Sequence, residues 1–160
     1  MIEVLTGDLL TRATIWLAML SWTGGIVSGA GGRARFSRGL WTVGLLIYAF
    51  HICFAYSEFH QWSHFVAWES TARDTLEMTG MDSGVGLLVN YAFALVLAID
   101  VFRQWQKGRR KGAGWIDGLV IFMIVNGAII FGSGPVRWFG AGLIAVILWV
   151  LVCRRLSVRV

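Results

Sequence analysis

Five apolar runs, each close to the length a helix needs to cross a bilayer, divide this sequence and leave little chain outside them. They are Leu9–Ser28, Gly39–Ser57, Gly84–Phe102, Trp115–Gly132 and Val136–Cys153. A hydrocarbon layer roughly 30 Å thick takes about 17 to 25 helical residues at about 1.5 Å each. Lipid offers backbone N–H and C=O groups no partner, so such segments satisfy themselves as helices. Hydrophobic residues are 57% of the chain and charged residues 14%, with a mean hydropathy of +0.68, the balance of an integral membrane protein. The expected fold is all-α: one domain over residues 1–160, a membrane bundle of about five transmembrane helices. The last two runs are separated only by Gly132-Ser133-Gly134-Pro135, whose proline cannot continue a helix, and they read as a tight hairpin.

Basic residues concentrate on the cytoplasmic side of membrane helices, so the charges orient the bundle. Arg33, Arg35 and Arg38 follow the first run, Arg103, Lys107, Arg109, Arg110 and Lys111 the third, and Arg154, Arg155 and Arg159 the fifth. Eleven of the fourteen basic residues thus fall on one side of a five-span layout, and seven of the nine acids on the other. The implied topology has the N-terminus outside and the C-terminus in the cytoplasm, in a bacterial inner membrane. The first ten residues are acidic where a cleavable signal would be basic, so the first span is expected to be retained. Topology and anionic headgroups account for the net charge of +5, which leaves no reason to invoke nucleic acid. Cys53 and Cys153 fall near opposite faces and cannot pair.

The one sizeable segment outside the hydrocarbon, Glu58 to Asp82, mixes Phe59, Trp62, Phe65, Val66 and Trp68 with acids and hydroxyls. It reads as an amphipathic helix on the outer face with its tryptophans at headgroup level. All three histidines, His51, His60 and His64, fall in or beside it. His60 and His64 are spaced i, i+4, which on one helix brings both imidazoles to one face, as two ligands of a single metal ion require. A third ligand would come from Glu58, Glu69, Glu77, Asp82 or His51, the last only if the chain breaks near Ser57 or Glu58. Imidazole with carboxylate suits copper, zinc or iron. A b-type haem would need His51 opposite one of the other two, since residues on one helix face cannot sit on both sides of a haem plane. The bland alternative is histidines that simply face water beside Glu58 and Glu69, or that relay protons.

Strongly polar groups inside a span need a partner or a cavity. His51, Asn90 and Asn126 each lie about six residues from the outer end of a span, roughly 9 Å deep, and so share one layer. With Tyr91 they form a candidate cofactor-binding pocket open to the outside; the competing role for the asparagines is interhelical glue at about 0.6 to 2 kcal/mol each. Asp100 and Asp117, beside basic residues at the cytoplasmic ends, are explained by snorkelling and ion pairing. Gly25-x3-Gly29 and Gly140-x-Gly142 are close-packing signals. No phosphate loop, dinucleotide fingerprint, nucleophile elbow or C-x-x-C occurs, and Ser63 is not read as a nucleophile.

The run Phe59-His60-Gln61-Trp62-Ser63-His64, then Gly80 to Gly86, then Asn90-Tyr91-Ala92-Phe93 with Asp100, resembles a group of polytopic membrane proteins of environmental bacteria. It covers about Phe50 to Asp100 and implies no activity, since none is assigned to that group. From the residues themselves, the leading expectation is an outer-face His/carboxylate site for a transition metal or haem, serving redox chemistry or metal handling. The alternative is an accessory or scaffold subunit that packs, in a homo-oligomer or with other membrane subunits, through its Gly and Trp faces. A small transporter is less well supported, because no inverted repeat is visible.

Overall fold

The computed structural model describes residues 2–107, 114–132 and 134–157, and everything described is helix or short turn, with no strand among these residues. Arg109, Arg110, Lys111, Ser133 and Arg159 lie outside them. The helices are α1 (Ile2–Ala30), α2 (Ala34–Glu58), α3 (His64–Thr79), α4 (Val85–Lys107), α5 (Gly114–Ile124), which runs on as a π-helical segment (Val125–Ile130), and α6 (Pro135–Ser157). Four are long and apolar enough to cross a membrane: Leu9–Ala30 within α1, α2, α4, and Pro135–Arg154 within α6. The remaining apolar run, Gly114–Ile130, is shorter than these four. Its last turn widens to i→i+5 bonding, Phe131 N–H donating to the Asn126 carbonyl at 3.0 Å, and a widened turn rises less per residue.

Each reversal has a local cause. Gly32, at φ 78°, closes α1 in a Schellman motif, Arg33 N–H donating to Ser28 at 2.9 Å and Gly32 N–H to Gly29 at 3.2 Å. Gly80, at φ 76°, caps α3. The expected hairpin is present, with Gly134 at φ 58°, Pro135 opening α6, and Arg137 Nη2 donating to the Gly132 carbonyl at 3.1 Å.

α1 is the hub, packed along α2 and against α5 and α6, while α4 packs on α2 and α3. The α1–α2 seam is a reciprocal interlock: the Trp22 indole covers Gly44, and the Trp41 indole covers Gly25. A Cβ at Gly44 would lie 2.5 Å from Trp22 Cδ1, and one at Gly25 2.9 Å from Trp41 Cδ1. Both tryptophans are essentially buried. Between them Ser21 Oγ donates to the Leu40 carbonyl and Ser37 Oγ to the Gly25 carbonyl, each at 2.7 Å. Small residues, large rings and hydroxyls bonded to a neighbour's backbone are what apolar helices use where lipid supplies no hydrophobic drive to associate.

α2 and α4 run antiparallel and are clamped at both ends. At the end where Arg33 and Lys107 lie, here called the basic end, Arg38 Nη1 donates to the Gln104 carbonyl at 3.0 Å and its guanidinium lies 4.6 Å over the Trp105 ring. Trp105 Nε1 donates to Thr42 Oγ1 at 3.0 Å, and Gln104 Nε2 to the buried Asp100 carboxylate at 2.7 Å. At the opposite, acidic end the hydroxyls of Tyr56 and Tyr91 are hydrogen-bonded. From Arg38 to Tyr56 along α2 is about 27 Å, close to the hydrocarbon thickness.

Replacing Gly44 by leucine should force Trp22 out of the seam and cost about 1 to 3 kcal/mol. Gly39→Ala, where an added Cβ meets nothing within 4 Å, should leave stability unchanged or raise it. Thermal unfolding in detergent measures both, and equal tolerance at the two positions would contradict the interlock.

Candidate functional site

The acidic half of the molecule holds every histidine and every tyrosine of the chain, three of each, and they fall into two groups. The deeper group surrounds a cavity of about 250 Å³ among α1, α2, α4, the end of α5, the π-helical segment and the start of α6. Its aromatic floor is formed by Trp22, Tyr48 and Phe93, one ring from each of α1, α2 and α4. They meet edge to face with centroids 5.4 Å (Trp22–Tyr48), 5.4 Å (Trp22–Phe93) and 5.5 Å (Tyr48–Phe93) apart, a preferred geometry for ring quadrupoles. Ile15, Met19, Met123, Ile124, Gly127, Ala128 and Val136 complete the apolar wall, and His51 and Asn90 add polar groups.

His51 follows Tyr48 by one turn and stacks on it, centroids 5.9 Å apart at 18°. Its Nδ1 lies 2.9 Å from the Thr11 carbonyl of α1. A carbonyl oxygen can only accept, so Nδ1 carries the proton and the neutral ring keeps its lone pair on Nε2. The cavity is therefore mostly apolar and aromatic-floored, with an oriented histidine in its wall, the composition typical of a small-molecule site.

The second group lies nearer the helix ends. Tyr91 links Tyr56 to His64, whose Nδ1 is 3.1 Å from the Tyr91 hydroxyl and whose ring stacks on Tyr91 at 5.9 Å. With one proton to give, Tyr91 donates to one neighbour and accepts from the other, so the chain can run in either sense. His60 sits edge-on to Tyr56 at 5.6 Å, with its Nδ1 buried and unpartnered. Burial pushes the His60 pKa below its ordinary value, and the Asp74 carboxylate pulls weakly the other way.

The expected pocket layer is realised in part. His51 and Asn90 line one cavity, but Tyr91 belongs to the other group, and at the π-helical segment it is Gly127 and Ala128 rather than Asn126 that form the wall. The expected pairing of His60 with His64 on one helix face does not occur. α2 ends at Glu58, His60 lies in the turn, and His64 is the first residue of α3. The chain breaks there because Gln61 and Trp62 take left-handed backbone angles, φ 49° and 58°, which no helix accommodates. Ser63 is the N-cap of α3, its Oγ accepting from Val66 N–H at 3.4 Å. Glu58 lies over Gly7 of α1, while Glu69 and Asp82 are exposed. Among the described residues no three His, Cys, Asp or Glu side chains gather in an arrangement that could hold a metal ion. Tyr48, Tyr56, Thr11 and the two methionines were not foreseen; the confinement of all tyrosines to the histidine-bearing end was the available signal.

No family model matches the sequence, and no curated protein and no solved structure is similar to it. The functional reading therefore rests on geometry.

Unfolded, His60 titrates near 6.5; folded, it titrates lower, so on acidification the unfolded chain binds the proton first. This contribution to stability is intact above about pH 6.5 and declines as pH drops through that value toward the folded pKa. Thermal unfolding between about pH 7.5 and 5.5 should show the decline, and His60→Phe should flatten it. An unchanged slope in the variant would assign the proton to another group.

Proposed function

We propose that this chain is a multi-pass protein of the bacterial inner membrane that binds a small lipophilic ligand in the His51 cavity, within the outer leaflet. The observation that carries the reading is His51 itself: one ring nitrogen pinned to α1, the other left with a lone pair, in an apolar cavity sized for a single substituted ring. Its fixed orientation in an otherwise mostly apolar wall is what a binding site needs. The membrane setting is supported by the four long apolar helices and the polar clamps about 27 Å apart. Five spans, with the N-terminus outside and the C-terminus inside, accord with the charge asymmetry; the fifth would be Gly114–Ile130, joined to α6 by a tight turn.

Metal binding is the second reading, and one observation favours it. A histidine whose Nδ1–H is held by a carbonyl is oriented as metal-ligating histidines are, and the thioethers of Met19 and Met123 line the same cavity. Imidazole with soft sulfur suits copper(I). The carboxylates and the other two histidines contribute nothing to this set, and a b-type haem lacks a second imidazole across the cavity. A scaffold role rests only on exposed apolar faces, which lipid covers equally well.

Toluene, a ring-sized apolar probe, should raise the unfolding temperature of the purified protein by mass action. Gly127→Leu, which adds bulk at a lining position where a Cβ meets nothing, should weaken the response. No response in the parent protein, or the same response in both, would sink the reading; stoichiometric copper in freshly extracted protein would favour the second. For topology, cysteines placed at the exposed Glu77 and Gln106 should react with an impermeant reagent from opposite sides of the membrane.

A further inference from the structure

The cavity is not closed on all sides, and where it opens constrains what enters it. α4 packs on α2 and α3, whereas the π-helical segment packs on α5 and α6, and no extended contact joins α4 to that segment. Asn90 on α4 and Gly127 on the π-helical segment are exposed at the mouth between them, while Trp22, Phe93, Ile124 and Ala128 are buried at the back. In a bundle whose long axes cross the bilayer, a gap between two helices at this depth faces lipid rather than water. A ligand using it arrives through the bilayer, and any part too long for the cavity lies among the acyl chains.

The back of the cavity sets the other end of the molecule. Few of the lining side chains are polar: His51, whose Nε2 is the acceptor of the neutral ring, Tyr48, Asn90, and Trp22, whose buried Nε1–H has no hydrogen-bond partner. No formal charge is present among the lining residues, so a charged head would be desolvated without a counter-ion. The floor of three edge-to-face rings favours a flat aromatic partner over a branched aliphatic one. What Nε2 lacks is a hydrogen-bond donor.

We infer, building on the ligand-binding reading above, that the occupant is a lipid-borne aromatic alcohol of the quinol or alkylphenol class. Its ring lies on the Trp22–Tyr48–Phe93 floor, its hydroxyl donates to His51 Nε2, and its tail leaves between α4 and the π-helical segment. A second ring oxygen, which separates a quinol from a phenol, would find its partners among Tyr48, Asn90 and the Trp22 Nε1–H. The π-helical turn has a role in this arrangement, since it accompanies the break in packing beside α4 and sets Gly127, with no side chain, at the mouth.

The protein in lipid nanodiscs is titrated with 4-decylphenol, 4-decylanisole, decylbenzene and decylhydroquinone, read by tryptophan fluorescence and by thermal shift. The anisole matches the phenol in shape and can accept a hydrogen bond but not donate one. The inference expects the phenol to bind about tenfold more tightly than the anisole or decylbenzene, the span of one hydrogen bond to a held acceptor. In His51→Phe, which keeps a ring against Tyr48, that preference should vanish while decylbenzene still binds. Tighter binding of decylhydroquinone than of decylphenol assigns the quinol class, and the reverse assigns the phenol. Equal binding of phenol and anisole by the parent protein overturns the inference but leaves a lipophilic-ligand cavity standing, and this comparison holds even if the variant fails to fold. If none of the four compounds binds, the underlying reading fails as well.

Discussion

Two indole rings lying over two glycines join α1 to α2, and most of the molecule is arranged around that seam. Trp22 can cover Gly44 and Trp41 can cover Gly25 only because neither glycine has a side chain, and the backbones then approach closely enough for Ser21 and Ser37 to bond the facing carbonyls. In lipid, shape complementarity and a few hydrogen bonds must supply what hydrophobic exclusion supplies in water. With the seam formed, α1 offers α5 and α6 a fixed surface, and α2 offers one to α4.

The same ring serves the seam and the cavity. Trp22 covers Gly44 on one side and meets Tyr48 and Phe93 in the aromatic floor on the other, so the cavity's geometry is inherited from the close-packed α1–α2 seam. His51 is fixed by the same pair of helices, through its bond to Thr11 of α1. On the proposed reading, a group held by two helices already locked together is oriented before any ligand arrives, and that would lower the ordering cost of binding. The opening, by contrast, lies between α4 and the π-helical segment, which share no extended contact.

Much of this was legible in the sequence. The span limits follow from run length, and each expected run lies close to an observed helix: Gly84–Phe102 against Val85–Lys107, and Val136–Cys153 against Pro135–Ser157. The hairpin at Pro135 and the polar layer holding His51 and Asn90 were also readable, because depth along a helix depends only on residue count. The pairing of His60 with His64 was misread. Its spacing assumed a continuous helix, and the assumption failed at Gln61 and Trp62, ordinary residues in left-handed geometry that carry no sequence signature. Tyr91 meets Tyr56 and His64 rather than the cavity, since depth along a helix does not state which neighbour its face meets.

Composition and run length alone therefore determined an all-helical, lipid-compatible chain with its ionisable and hydroxylated aromatic groups gathered at one end, because hydrocarbon thickness and the self-satisfied helical backbone leave few other outcomes. Which imidazole meets a cavity and which meets a tyrosine was decided only by the tertiary structure. That choice depends on helix rotation, on the close approach two glycines permit, and on a turn whose left-handed residues send α3 away from the axis of α2. These are properties of surfaces fitting one another, and no single run of residues contains them.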